Sequence, residues 1–171
     1  MNAIAKEAAR YYTVSAMSLP RRAHVDITWE GSVIPKGTMI LINAQAANHE
    51  VEHFGPDAGN FNPERWLKSN EEVSSTGIQH FSFGAGSRAC SGQFIASRLL
   101  YTALVRLICS FKIVASESEP PNTDYVDYNE FKSALVAIPR DFKVKLIPRD
   151  PEVTVRCMKA AELRTRDAYV E

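Results

Sequence analysis

Phe83-Gly84-Ala85-Gly86-Ser87-Arg88-Ala89-Cys90-Ser91-Gly92 is the most informative run in the chain: three glycines and a cysteine directly ahead of the clearest helical pattern. Cys90 stands where that helix begins. A helix N-terminus carries partial positive charge from unpaired N–H groups, which favours a thiolate over a thiol. Arg88 adds a second positive influence. Gly84, Gly86 and Gly92 permit a tight loop with exposed backbone, on which a flat ligand could lie closely. A thiolate among backbone N–H donors suits a metal that needs a strongly electron-donating ligand. Two other readings stay open on these residues. One is a glycine loop with Cys90 as a small buried hydrophobe. The other is a phosphate-binding loop, although no Gly-Lys-Ser/Thr ending follows and no strand precedes.

The helix after the loop is expected over Gln93 to Phe111. Leu99, Leu100, Ala103, Leu104, Leu107, Ile108 and Phe111 give it a broad apolar face. Toward the N-terminus, residues 2–12 are Ala-rich, with Ile4, Ala8 and Tyr11 or Tyr12 at helical spacing and no N-cap. Val14 to Leu19 is expected to be extended, stopped by Pro20. His24 to Trp29 alternates as a strand does, Glu30-Gly31-Ser32 is a turn, and Pro35-Lys36-Gly37 is a second break. Thr38 to Asn43 is a third β segment, and Ala44 to Asn48 supplies one or two helical turns. His53 to Gly86 shows little periodicity; an irregular stretch of that length in a compact domain is functional or wraps something. Ser133 to Ile138 and Phe142 to Ile147 are β-like. The charged tail beyond Pro151 ends in a short helix, Met158 to Arg166. The fold class is mainly α with small β-sheets (α+β).

Composition removes several function classes. Of the 171 residues, 20 are Lys or Arg and 20 are Asp or Glu, so the net charge is zero. That balance disfavours a nucleic-acid binder held by phosphates and a polybasic membrane-surface protein. The length suits one domain that buries about two-thirds of its unfolded surface. Cys90, Cys109 and Cys157 are too few for a disulfide framework and point to a reducing, intracellular compartment. No apolar run reaches the roughly 18 residues of a membrane span, and the N-terminus lacks a signal-peptide layout.

Phe83, Gly86, Arg88, Cys90 and Gly92 match every defined position of Phe-x-x-Gly-x-Arg-x-Cys-x-Gly, and on these residues the chain resembles the cytochromes P450. The resemblance implies that Cys90 is the proximal ligand of haem iron, that Phe83, Gly86 and Gly92 are cofactor-binding residues of the same loop, and that Arg88 pairs a haem propionate. In this class the thiolate pushes electron density to favour O–O cleavage. Glu7 and Arg10 are also similar to the family's Glu-x-x-Arg helix, and Pro63-Glu64-Arg65-Trp66 to its Pro-Glu-Arg loop. Alone, Glu7 and Arg10 read as a surface ion pair worth under about 1 kcal/mol; by resemblance, Glu7, Arg10 and Arg65 form one buried structural triad. Read alone, Arg21 and Arg22 in Pro20-Arg21-Arg22 are two solvated arginines; by resemblance, Arg21 reaches the second propionate. Val14 to Leu19 then runs beside the haem, with Met17 and Leu19 as substrate wall. His24, His49, His53 and His80 lack ligand spacing; His80 lies near enough to the loop to tune it. Cys109 reads as core.

The resemblance covers residues 1–149 as the C-terminal third of a P450 haem domain, leaving 150–171 as a tail of uncertain order. It implies haem b as cofactor, electrons from NADPH through NADPH–cytochrome P450 reductase, and insertion of one oxygen atom of dioxygen into a small organic substrate. The runs Tyr11 to Arg21 and Ile42 to His49 look most like fungal phenylacetate hydroxylases, which implies an aromatic acid. Family members carry a central helix with an acid–alcohol pair that delivers protons, and eukaryotic ones an endoplasmic-reticulum anchor; neither pattern is present. The start at Met1 inside a helical pattern fits an internal methionine. The alternative to an enzyme segment is a truncated, non-catalytic product that binds haem weakly because one haem face lacks cover.

Overall fold

The computed structural model of the chain describes residues 1–67 and 80–168. The Ala-rich N-terminal segment forms α1 (Asn2–Tyr12), whose inward stripe holds Ala3, Ala5, Glu7 and Arg10. Small alanines let the neighbouring elements approach closely, so the long charged side chains lie inside the fold. α1 ends at Thr13, which takes the left-handed conformation at φ 38° and donates its N–H to the Ala9 carbonyl. A β-branched residue there is unusual, and its hydroxyl is tied to the Arg10 carbonyl.

Two short antiparallel pairs follow. β1 (Arg21–Arg22) pairs with β4 (Met39–Ile40), and β2 (Ile27–Trp29) pairs with β3 (Ser32–Ile34). The β2–β3 turn holds Glu30 and Gly31 at φ 47° and 78°, the two positive values a tight hairpin needs to match strand twist. α2 (Ala44–Asn48) is capped by Asn43, whose side chain accepts the Ala46 N–H. α3 (Val51–Phe54) and a 3₁₀ turn, Pro63–Trp66, lead toward the loop. α4 (Gln93–Ser110) runs straight into β5 (Phe111–Ala115), which pairs with β6 (Val144–Pro148), and α5 (Pro151–Ala168) closes the described chain. Helices with three two-stranded sheets are the expected class.

Several local expectations are corrected. Ser133 to Ile138 is not a strand; it has no partner strand, and the isolated bridge beside it joins Asn129 to Pro139. A short apolar run alone does not make a strand, and Pro139 has no N–H to extend a ladder. The third β segment shrinks to Met39–Ile40, with Asn43 bridging Met17. Phe111 belongs to β5 rather than to the helix, because Ile113 and Val114 favour extended backbone. The tail helix begins at Pro151, since the Asp150 carboxylate accepts the Val153 N–H at 2.9 Å and Pro suits the first helical position. The irregular stretch from His53 contains α3 and the 3₁₀ turn; its residues 68–79 lie outside the described ones.

The core gathers around α1 rather than around α4. Phe54, Ala58, Ala44 and Tyr128 are buried there, whereas Leu99 is 66% exposed and Cys109 is exposed too. The apolar face read for α4 exists, but the described residues cover it only in part: Leu104 and Ile108 are half-buried, and Leu99 and Leu107 are exposed.

Candidate functional site

The loop before α4 is held by its own backbone. The Cys90 N–H donates to the Phe83 carbonyl at 2.8 Å, and the Ala89 N–H donates to Gly86 at 3.1 Å. Gly84 and Gly86 have φ of 74° and 65°, values a side chain would strain. At Gly86 an added Cβ would meet open space, so the requirement there is conformational. At Gly92 an added Cβ would stand 3.6 Å from the Cys90 sulfur, an ordinary contact that would cover one side of that atom. Cys90 itself is exposed. The reading of a buried, hydrophobe-like cysteine is therefore wrong for this chain: the loop turns the thiol outward. Arg88 and Arg21 are both exposed and have no ion-pair partner among the described residues.

Behind the loop, the structure brings Glu7, Arg10 and Arg65 together. Glu7 and Arg10 are fully buried, and the Arg65 side chain is 7% exposed. Arg10 donates through Nε and Nη2 to the two Glu7 oxygens at 2.9 and 2.6 Å. Its other donors reach the carbonyls of Asn48, Ala58 and Asn60 at 2.7, 2.7 and 2.9 Å. All five guanidinium donors are thus used. Arg65 Nε reaches Glu7 Oε1 at 3.2 Å, and its remaining donors hold Phe54 O, Asp57 and Asn60 O.

Four members of this network were not foreseen. The Asn62 N–H and the Trp66 indole each donate to Glu7 at 2.8 Å, and Asp57 pairs with Arg65. Asn48, fully buried, donates to Thr13 and Ser82 and accepts the Phe81 N–H at 2.7 Å. Through Asn48 the network grips the segment, Phe81 and Ser82, that enters the cysteine loop. Burial pushes the Glu7 carboxyl up, but the Arg10, Asn62 and Trp66 hydrogen bonds and the Arg10 charge together hold it below its ordinary value.

His80 packs edge-on to Trp66 at 6.2 Å and tilted to Phe83 at 5.6 Å. Burial, with the nearby charges of Lys6 and Arg10, lowers its pKa from 6.5 to about 4. The fold therefore holds His80 neutral while the unfolded chain takes up a proton. Stability is expected to be full above pH 6.5 and to fall as the pH drops from 6.5 toward about 4. The depressed Glu7 adds a further loss at lower pH still. Urea midpoints measured against pH check this, and His80→Gln should flatten the upper part of the profile.

A cavity of about 690 Å³ opens beside the loop. Phe83, Ala8 and Ala9 of α1, and Ala96 and Leu100 of α4 form one side, and Val14, Ser15 and Val136 reach it from elsewhere. Part of the extended segment after α1 thus does wall a cavity. Met17 and Leu19 do not; they are 38% and 61% exposed and Met17 bridges Asn43.

Among the described residues no helix is long and apolar enough to cross a membrane. The family model for cytochrome P450 matches residues 1–149. Phenylacetate 2-hydroxylase of Emericella nidulans is 40% identical over 169 residues, covering 97% of this chain and 32% of that protein. 3-Hydroxyphenylacetate 6-hydroxylase of the same fungus is 38% identical over 148 residues, covering 86% of this chain and 27% of that one. A zebra fish cytochrome P450 solved with abiraterone superposes with a TM-score of 0.70 at 29% identity, covering 87% of this chain and 33% of its own. The chain spans about a third of the length of the relatives it matches. By its cysteine loop, its fold and the match over residues 1–149, this chain belongs to the cytochrome P450 family.

Proposed function

We propose that the chain is the proximal, thiolate-bearing part of a haem monooxygenase, with Cys90 as the iron ligand. The observation that carries this is the exposed thiol on a loop whose backbone curls beneath it. The donor chemistry suits a planar iron group with acidic edges: one soft sulfur, and two exposed arginines, Arg88 and Arg21, without ion-pair partners of their own among the described residues. Phe83 packs at the border between loop and cavity, and Gly86 leaves open space on the loop. Haem bound there supplies the redox iron at which one oxygen atom of dioxygen enters a substrate, with electrons from NADPH through a reductase.

The chain's own residues hold, orient and seal. The buried Glu7–Arg10–Arg65 network fixes α1 to the turn at Pro63–Trp66, and Asn48 fixes that assembly to Phe81 and Ser82. The cavity beside Phe83 is the substrate wall. Similarity to the two fungal hydroxylases supports a small aromatic acid as the substrate class. The exposed apolar side of α4 packs against the remainder of the fold in a full-length enzyme. Bound to this segment by itself, haem would be held weakly and no substrate would be hydroxylated, because a reactive oxidant needs a dry, walled cavity.

Titrating the chain with haem and recording the reduced carbonyl spectrum tests this. A thiolate-type band is expected at high haem concentration. It should vanish in Cys90→Ser and persist in Cys109→Ser and Cys157→Ser, whose parent thiols are also exposed. A band that survives Cys90→Ser contradicts the assignment.

A further inference from the structure

We propose that Arg140 anchors the carboxylate of a ligand in the cavity beside Phe83, and that this cavity selects a small amphipathic acid, an apolar ring carrying one carboxylate. The inference rests on reading that cavity as the substrate wall. Arg140 is the sole charged residue among the described residues lining it. The rest of the lining is dominated by Phe83, Leu100, Val136, Phe142 and alanines, which offer an aromatic body apolar contact. Of the lining hydroxyls, those of Ser15, Ser82 and Tyr128 donate to the carbonyls of Met17, Ala9 and Tyr12 at 3.1, 2.6 and 2.9 Å, and those of Tyr12 and Thr123 also line the cavity. A neutral ligand can meet such hydroxyls, whereas an anion gains a charged partner at Arg140 alone among these residues.

The charge around Arg140 favours this. Its Nη2 donates to Asp127 Oδ1 at 3.0 Å, and Lys132 Nζ stands 3.3 Å from the same oxygen. Two cations share one carboxylate, so the cluster keeps an excess positive charge. Arg140 spends one of its five donors on Asp127, which leaves a fork free for bidentate carboxylate recognition. Its side chain is 48% exposed, so the gain is moderate and depends on salt.

The test is binding to the haem-free 171-residue chain, followed by calorimetry at low salt, with phenylacetate, its neutral amide phenylacetamide, and acetate as probes. Phenylacetate is expected to bind about tenfold or more tighter than the amide, and acetate to show no binding at the same concentrations. Arg140→Met should abolish the preference for the acid while its circular dichroism stays that of the parent, and Arg140→Lys should keep part of it. Asp127→Asn frees the guanidinium and should tighten the acid. Equal affinity for acid and amide, no binding of either, or a preference that survives Arg140→Met overturns the proposal. Because haem is absent, these outcomes are independent of the Cys90 titration: either reading can fail while the other stands.

Discussion

Arg10→Met is expected to lower the unfolding free energy by about 3–5 kcal/mol, the cost of breaking a buried ion pair by removing one partner. The geometry places the effect at the upper end. Glu7 is fully buried, and without Arg10 it keeps one cation among the described residues, Arg65 at 3.2 Å, with the Asn62 and Trp66 N–H groups. The carbonyls of Asn48, Ala58 and Asn60 lose their shared donor as well. Arg10→Lys should recover little, because an ammonium has three donors on one atom and cannot span five acceptors. Urea unfolding followed by circular dichroism measures both. A loss below about 1 kcal/mol, the size of an exposed pair, would show that the network is solvated in solution.

Asn48→Ala is the second large effect. Its amide joins three places in the chain: Thr13 at the end of α1, Ser82, and the Phe81 N–H. Truncation strands the part-buried Phe81 N–H and leaves a void at a fully buried side chain, at a cost of about 1–3 kcal/mol. The change should be felt most at the entrance to the cysteine loop. Hydrogen exchange at the Phe81 amide is expected to accelerate well beyond that at Ala96 in α4. Uniform acceleration across the chain would mean that Asn48 supports the fold generally rather than gripping the loop.

The parts legible in the sequence were those written locally. Glu7 and Arg10 share a helix face because they are three residues apart, and the fixed offsets of Phe83, Gly86, Arg88, Cys90 and Gly92 describe a single turn of backbone. Pro63-Glu64-Arg65 marks its own 3₁₀ turn. What escaped was non-local. Asn62, Trp66, Asp57 and Asn48 reach Glu7, Arg10 and the loop only after distant segments meet, and no spacing encodes that. Ser133 to Ile138 has a strand's apolar residues but no partner strand among the described residues. The start of α5 is legible in Asp150-Pro151, a cap followed by a first-turn proline, a local signal that outweighs the charged composition of the tail. The solvent exposure of Cys109 and Leu99 follows from what α4 packs against, and its amphipathic pattern alone is silent on that.

The central claim is that one sulfur, at position 90, binds iron. Iron X-ray absorption on the haem-loaded chain counts sulfur atoms at the metal directly. One sulfur in the first coordination shell is expected, lost in Cys90→Ser and retained when Cys109 and Cys157 are both replaced by serine. A shell of nitrogen and oxygen alone in the parent chain, or a sulfur that remains after Cys90→Ser, would contradict it.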